Sequence, residues 1–365
     1  MKTRKLRMTA ALFAAILVYL TPVKALEVSA RSAVLLDGDS GTVLWEKNAG
    51  EKSLIASTTK IMTALVVLEH ADPDTVVTVP REAAGIEGSS IYLKAGETLS
   101  VRDLLYGMML HSGNDAATAL AVIVSGSEDA FAAEMNRKAQ ELGLTEIHFA
   151  NPHGLDSEEN YATAYSLGQL AVAAMKNPEF REIVSSKSYS CDGRTFQNHN
   201  KLLWSYPGAM GVKTGFTRKA GRILVGCAER NGRRLISVTI SDPEDWIDHS
   251  RMLDYGFSQY ENRDLVNPGD VCGQLPVISG SRDYVNLLAA EPVSFPMLPD
   301  EQAEYRLLTA PFVYAPVNQG CRLGTMQVFV AEKLVANVPL EAKETVALQP
   351  EAPGFLASVR DSIFH

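Results

Sequence analysis

Between Ser57 and His70 the chain reads Ser-Thr-Thr-Lys-Ile-Met-Thr-Ala-Leu-Val-Val-Leu-Glu-His. This run has helical composition but no polar face, since Ile61, Met62, Ala64, Leu65, Val66, Val67 and Leu68 go all the way round it. A helix apolar on every side must be buried on every side. The chain must therefore build layers around it, and the 365 residues, 46% of them hydrophobic and 21% charged, supply the material. That length suits about two domains of roughly 150 residues each. The composition excludes a mainly disordered chain. A net charge of −9 argues against a nucleic-acid partner.

Residues 1–25 stand apart. Lys2, Arg4, Lys5 and Arg7 precede thirteen uncharged residues, Met8 to Leu20, and then Val23-Lys24-Ala25. This is the layout of a secretory signal peptide cut after Ala25, and the apolar stretch is too short to span a bilayer. Cleavage removes five basic residues and no acidic one, taking the net charge from −9 to −14. Export permits disulfides, but Cys191, Cys227, Cys272 and Cys321 are widely spaced and lack the C-x-x-C pattern of zinc sites. They read as free or structural thiols, and no metal or other cofactor is expected.

Strands come first: Ala33–Leu36 and Thr42–Trp45 flank the turn Asp37-Gly38-Asp39-Ser40-Gly41. Helices follow, from Ser57, from Ser127 to Leu142 ahead of Gly143, and from Tyr165 to Met175 ahead of Asn177-Pro178. Gly221–Ala228 and Arg234–Ile240 then form a hairpin around Asn231-Gly232. Strands at both ends of this region predict an α/β (α+β) domain over residues 26–262, an antiparallel sheet packed by helices, with its first and last strands adjacent. Beyond it, Pro276, Pro292, Pro296, Pro299, Pro311 and Pro316 leave little room for long helices. Residues 263–346 read as a small all-β domain, closed by a hairpin of Met326–Val330 and Leu334–Val338. In the tail, 347–365, Phe355, Leu356, Val359 and Ile363 recur at helical spacing. That pattern suits a membrane-surface helix, and equally a helix docked on its own domain or a frayed end.

Three short motifs carry chemistry: Ser57-Thr58-Thr59-Lys60, Ser112-Gly113-Asn114 and Lys213-Thr214-Gly215. Each alone is weak. Lys60, however, opens the all-apolar run, so its amine is buried, and burial favours the neutral form that a general base beside a serine needs. Positions i and i+3 share a helix face, which brings that amine to Ser57. Ser57 near a helix start also offers its own N–H to a developing oxyanion. Lys213 lies on a strand among glycines that let a substrate backbone come close. His153 and Asp156 suggest a serine–histidine–aspartate relay, but Pro152 and Gly154 on either side of His153 mark a rigid turn instead, and Glu158 and Glu159 read as solvated.

The ordered motifs resemble those of the penicillin-recognising serine enzymes. The longer strings Thr59–Thr63, Ser112–Ala117, Asn151–Asp156 and Gly211–Thr217 look like the low-molecular-weight penicillin-binding D-alanyl-D-alanine carboxypeptidases. The resemblance implies a serine β-lactamase/transpeptidase-like catalytic domain followed by the β domain. It implies that Ser57 attacks the penultimate D-alanine of a peptidoglycan stem peptide, with Lys60 as base and Ser112 passing the proton to the leaving group. It further implies that Asn114 contacts the peptide, that Lys213 and Thr214 hold the terminal carboxylate, and that Ser57 and Phe216 N–H groups form the oxyanion hole beside Gly215. β-Lactams would be trapped on the same serine. Thr58 stands where such enzymes often have leucine, and Phe216 where tyrosine or histidine also occurs. The alternatives are a class A-like β-lactamase, a D,D-endopeptidase, or a non-enzymatic cell-wall binding protein. No glutamate-bearing deacylation loop is evident, and the intact serine–lysine set argues against a silent site.

Overall fold

The computed structural model describes residues 26–349. The expected signal segment and the tail helix expected at 353–365 fall outside these residues. A five-stranded antiparallel sheet is the backbone of the first part. Its strands run in the order Ala209–Thr217, Gly221–Arg230, Arg233–Ile240, Ser32–Asp37, Val43–Lys47. Ser32 pairs with Ile240, so the expected adjacency of first and last strands holds. Asn231 and Gly232 both have positive φ, 53° and 75°, as a two-residue hairpin turn of the mirror-image type requires.

Side chains alternate across the sheet and feed two cores. Val34, Leu36, Val225, Ile236 and Val238 face one way, toward helices α1 (Lys60–His70), α2 (Val101–Leu110), α3 (Asn114–Ser125), α4 (Glu128–Glu141), α5 (Ala164–Ala174) and α6 (Pro178–Ser185). Ala33, Leu35, Leu224 and Leu235 face the other way, toward α7 (Leu202–Ser205) and α8 (Asp245–Gln259). The all-apolar run is α1, and it touches α2, α3, α4, α5 and α6. Its burial matches its composition.

Helix starts follow local chemistry. Ser100 accepts from the Asp103 N–H while Asp103 accepts from Ser100, a capping box for α2. Ser127, Thr163 and Asn177 cap α4, α5 and α6 through their side chains. One expectation needs correction. The helix does not begin at Ser57: Ala56–Thr59 is a 3-10 turn, and α1 begins at Lys60. In a 3-10 turn residues i and i+3 eclipse one another, so the change of winding sets Lys60 directly over Ser57.

From Glu261 onward only strands occur among the described residues. The six-stranded sheet orders Ala303–Thr309, Arg322–Val330, Lys333–Ala342, Tyr284–Ala289, Val271–Ile278 and Val313–Tyr314. Val285, Leu287, Val328, Val338 and Leu340 form its separate core. The four cysteines are unpaired, with Cys227 buried in the helical-side core. No single described helix is long and apolar enough to cross a membrane.

Candidate active site

Four segments far apart in sequence meet at one edge of the first sheet. The Ala209–Thr217 strand lies at that edge, against the 3-10 turn that carries Ser57. Gly215 is what lets them meet: a Cβ there would press on Ile55 O, Thr58 Cγ2 and Thr58 N at 3.2–3.3 Å. The resulting cleft has a volume of about 360 Å³, and Ser57, Ser112, Thr214, Gly215 and Phe216 line it.

Lys60 is 0% exposed. Its Nζ lies 3.1 Å from Ser57 Oγ, 2.7 Å from Asn114 Oδ1 and 2.5 Å from the His153 carbonyl. Burial first, and the charge of Lys213 second, hold its pKa well below the ordinary lysine range, with Asp115 opposing. No carboxylate forms an ion pair with this amine among the described residues. Burial shifts a lysine so placed toward its neutral form, the form that can take a proton from Ser57.

Lys213 is 2% exposed and points Nζ at Ser112 Oγ, 3.1 Å, and at the Thr214 carbonyl, 3.0 Å. Burial pulls its pKa down to about 7. Ser112 has φ +64°, a left-handed backbone rare for a residue with a side chain. Such strain is stored where surroundings over-determine the conformation. Here the surroundings are the junction of α2 and α3 and the Lys213 amine. Phe216 is 65% exposed, so its ring stands away from the packed core.

The Asn151–Asp156 loop serves as the floor. Asn151 Oδ1 accepts from the Gly154 N–H, Pro152 O accepts from Thr63 Oγ1 at 2.6 Å, and His153 O receives the Lys60 amine. The His153 ring takes no part in a relay: Nδ1 accepts from the Leu155 N–H at 3.1 Å, and Nε2 faces Glu128 at 3.7 Å. Burial and the nearby Lys60 push its pKa down to about 4, so it is neutral in the working range. Asp156, Glu158 and Glu159 are exposed.

All eight residues singled out in the sequence gather here: Ser57, Lys60, Ser112, Asn114, Lys213, Thr214, Gly215 and Phe216. Two supporting residues did not show in the sequence reading. Asp115 is buried and accepts from the N–H groups of Ile91 and Leu93 and from Ser90 Oγ, which ties the 88–93 loop over the cleft. Arg222 lines the cleft from the neighbouring strand. An acid directly after Asn114, and a basic residue reached by pairing back across the 217–221 turn, were the available signals. A larger cavity of about 630 Å³ lies elsewhere, among Val43, Leu142, Tyr165 and Gln169, and holds none of these residues.

A buried lysine backing a serine, on an antiparallel sheet covered by helices, is the shared geometry of the penicillin-recognising serine hydrolases. Comparison with known proteins narrows this. The D-alanyl-D-alanine carboxypeptidase family profile, peptidase S11, matches residues 20–244, and that of the penicillin-binding protein 5 C-terminal domain matches 260–348. The chain belongs to the D-alanyl-D-alanine carboxypeptidase family. It is 34% identical over 331 residues to the carboxypeptidase DacF of Bacillus subtilis, covering 86% of this chain and 85% of the relative. It is 36% identical over 361 residues to DacC of Escherichia coli, covering 93% and 89%. Among solved structures, penicillin-binding protein 5 of Haemophilus influenzae superposes with a TM-score of 0.76 at 28% identity, covering 88% of this chain and 98% of that one.

Proposed function

We propose that the chain is a serine D-Ala-D-Ala carboxypeptidase that removes the terminal D-alanine of peptidoglycan stem pentapeptides through an acyl-enzyme on Ser57. The observation that carries this is the Lys60 amine, fully buried and 3.1 Å from Ser57 Oγ. Ser57 Oγ attacks the carbonyl carbon of the penultimate D-alanine as Lys60 Nζ takes its proton. The C–N bond then breaks, and the proton reaches the leaving nitrogen through Ser112, which Lys213 contacts. Asn114 holds Lys60 and contacts the peptide, while the N–H groups of Ser57 and Phe216 stabilise the oxyanion; one such donor is worth about 3 kcal/mol. Lys213 and Thr214 face the terminal carboxylate, and Gly215 gives the backbone room to approach. Water then hydrolyses the ester. β-Lactams acylate the same serine.

The experiment is direct. The protein is mixed with a fluorescent penicillin and, separately, with a pentapeptide ending in D-Ala-D-Ala. Covalent label and released D-alanine are expected, and both vanish in Ser57→Ala. Wild-type protein that turns the label over rapidly and releases no D-alanine would instead mark a β-lactamase.

The signal-like segment 1–25 and the amphipathic pattern of 353–365 support export, with action at the outer face of the cell membrane. Fractionation tests this part. The full chain is expected in the membrane fraction and a chain ending at residue 349 in the soluble extracytoplasmic fraction, whereas identical distributions would remove the tail as an anchor.

A further inference from the structure

The steps above leave unused a cavity of about 500 Å³ that shares no lining residue with the catalytic cleft. Lys52, Leu54, Asp156, Glu158, Tyr161 and Lys219 line it. Its walls nevertheless adjoin the catalytic segments. Leu54 comes three residues before Ser57, Asp156 three after His153, and Lys219 three after Phe216. Consecutive Cα atoms lie about 3.8 Å apart, so none of these walls stands more than about 11 Å from the catalytic residue it adjoins.

The walls are fixed. Leu54 pairs with Tyr161 across a short antiparallel ladder. Asn160 is 2% exposed and donates from Nδ2 to Thr59 Oγ1 at 3.0 Å, which ties its turn to the one that carries Ser57. The Ala220 N–H donates to Thr217 Oγ1 at 3.0 Å and closes the turn that carries Lys219. The charges are sorted as well. Lys52 is already engaged, with Nζ 2.8 Å from Glu146 and 4.7 Å from the centre of the Tyr161 ring. Lys219, Asp156 and Glu158 are not: none makes an ion pair within 4.0 Å or a side-chain hydrogen bond among the described residues. A ligand group that carries both an ammonium and a carboxylate suits one free cation beside two free anions. A group with a single charge would meet its own sign as well as the opposite one.

Strand direction decides which part of the substrate arrives here. With the terminal carboxylate at Thr214 and the reacting carbonyl at the Phe216 N–H, continuing the same way passes Thr217 and reaches Lys219. That direction leads to the residue before the penultimate D-alanine. One residue of extended backbone spans about 3.5 Å, and a side chain of four or five single bonds adds about 6 Å, which together reach the cavity.

We propose that this cavity is a side-chain subsite for the residue preceding D-Ala-D-Ala, and that it selects a diamino acid whose side chain ends in both an ammonium and a carboxylate. Glu158 and Asp156 take the ammonium, and Lys219 takes the carboxylate. This rests on the carboxypeptidase reading above and specifies which stem peptide the enzyme cuts best. Lys219 and Glu158 are then specificity-determining residues that touch none of the reacting atoms.

The test uses four peptides, N-acetyl-X-D-Ala-D-Ala, in which X is diaminopimelate (both charges), lysine (ammonium alone), 2-aminopimelate (carboxylate alone) or norleucine (neither). Wild type should release D-alanine from the diaminopimelyl peptide with kcat/KM about tenfold above the norleucine peptide, the product of two partly exposed ion pairs. Neither singly charged peptide should gain more than about threefold. Lys219→Gln should bring the diaminopimelyl peptide down to the lysine peptide. Glu158→Lys should lower both ammonium-bearing peptides by about threefold or more. The norleucine peptide should react alike with all three proteins. Labelling of Ser57 by fluorescent penicillin reports the folded fraction, and if Glu158→Lys does not fold, Lys219→Gln carries the test. Wild-type kcat/KM values within about twofold across the four peptides overturn the proposal. So does a preference set by one charge alone, or one that the folded variants retain. Release of D-alanine from none of the peptides overturns the carboxypeptidase reading instead.

Discussion

Lys60→Met is expected to slow acylation of Ser57 by about 10³-fold, within the range assigned to a positioned general base. The measurement is the second-order rate of penicillin labelling, followed alongside D-alanine release. Methionine fills the same buried channel without a charge, so the fold has reason to survive. It strands two acceptors, Asn114 Oδ1 and the His153 carbonyl, at about 1–3 kcal/mol each. A moderate fall in Tm should therefore accompany the kinetic loss. A labelling rate within tenfold of wild type would remove Lys60 as the base.

The pH profile belongs to the same prediction. Lys60 must be neutral to accept a proton, and burial with the Lys213 charge keeps its pKa low. Lys213 has the opposite requirement, since it helps while charged, and its pKa is about 7. A lysine is charged below its pKa and neutral above it, so kcat/KM should decline as pH rises through that value. Because kcat/KM reports the free enzyme, a bound carboxylate does not move this limb.

Gly154→Ala is expected to damage stability and chemistry together. A Cβ at position 154 would lie 2.0 Å from Ala56 O, 2.4 Å from Ala56 C and 2.9 Å from Ser57 N. All three are backbone atoms of the segment that presents the nucleophile. Gly154 has φ +89°, and Ala56 itself stands at φ +45°, so neither side can yield cheaply. Overpacking and backbone strain together cost about 3 kcal/mol, or roughly 5–10 °C in Tm for a domain of this size. Displacing Ser57 by a fraction of an ångström to 1 Å should lower acylation by about 10²-fold. Gly193→Ala is the comparison, because Gly193 also has positive φ, +71°, but open space around it. If both variants melt and acylate alike, the loop does not brace the nucleophile in the way described.

Local chemistry in the sequence carried much of the fold. The Asn231-Gly232 turn set a hairpin, and Ser127 announced the start of α4. The motifs Ser57–Lys60, Ser112–Asn114 and Lys213–Gly215 located the cleft because each is short and sits on its own element. What escaped was of two kinds. Helix α3 is so rich in alanine (Ala116, Ala117, Ala119, Ala121) that it shows no polar face to set its period. Helix α8 buries Asp245, Asp248 and His249, which breaks the apolar stripe a reader would look for. The second kind is long-range partnership. Asp115 with the 88–93 loop and Arg222 with Asp245 depend on which elements the fold sets side by side, and no spacing within a motif reports that.

The pairing of Ser32 with Ile240 has a consequence for how the molecule comes into being. The first strand has nothing to pair with on one side until a segment about two hundred residues downstream has been made. The Val43–Lys47 strand can form a hairpin with it early, but a lone hairpin is marginal in water. Closing so long a loop costs entropy before any contact repays it, and folding rates fall as such contacts dominate. The catalytic cleft, whose edge strand ends at Thr217, hangs on the same closure. The first sheet therefore cannot close around its first strand until Ile240 has been made.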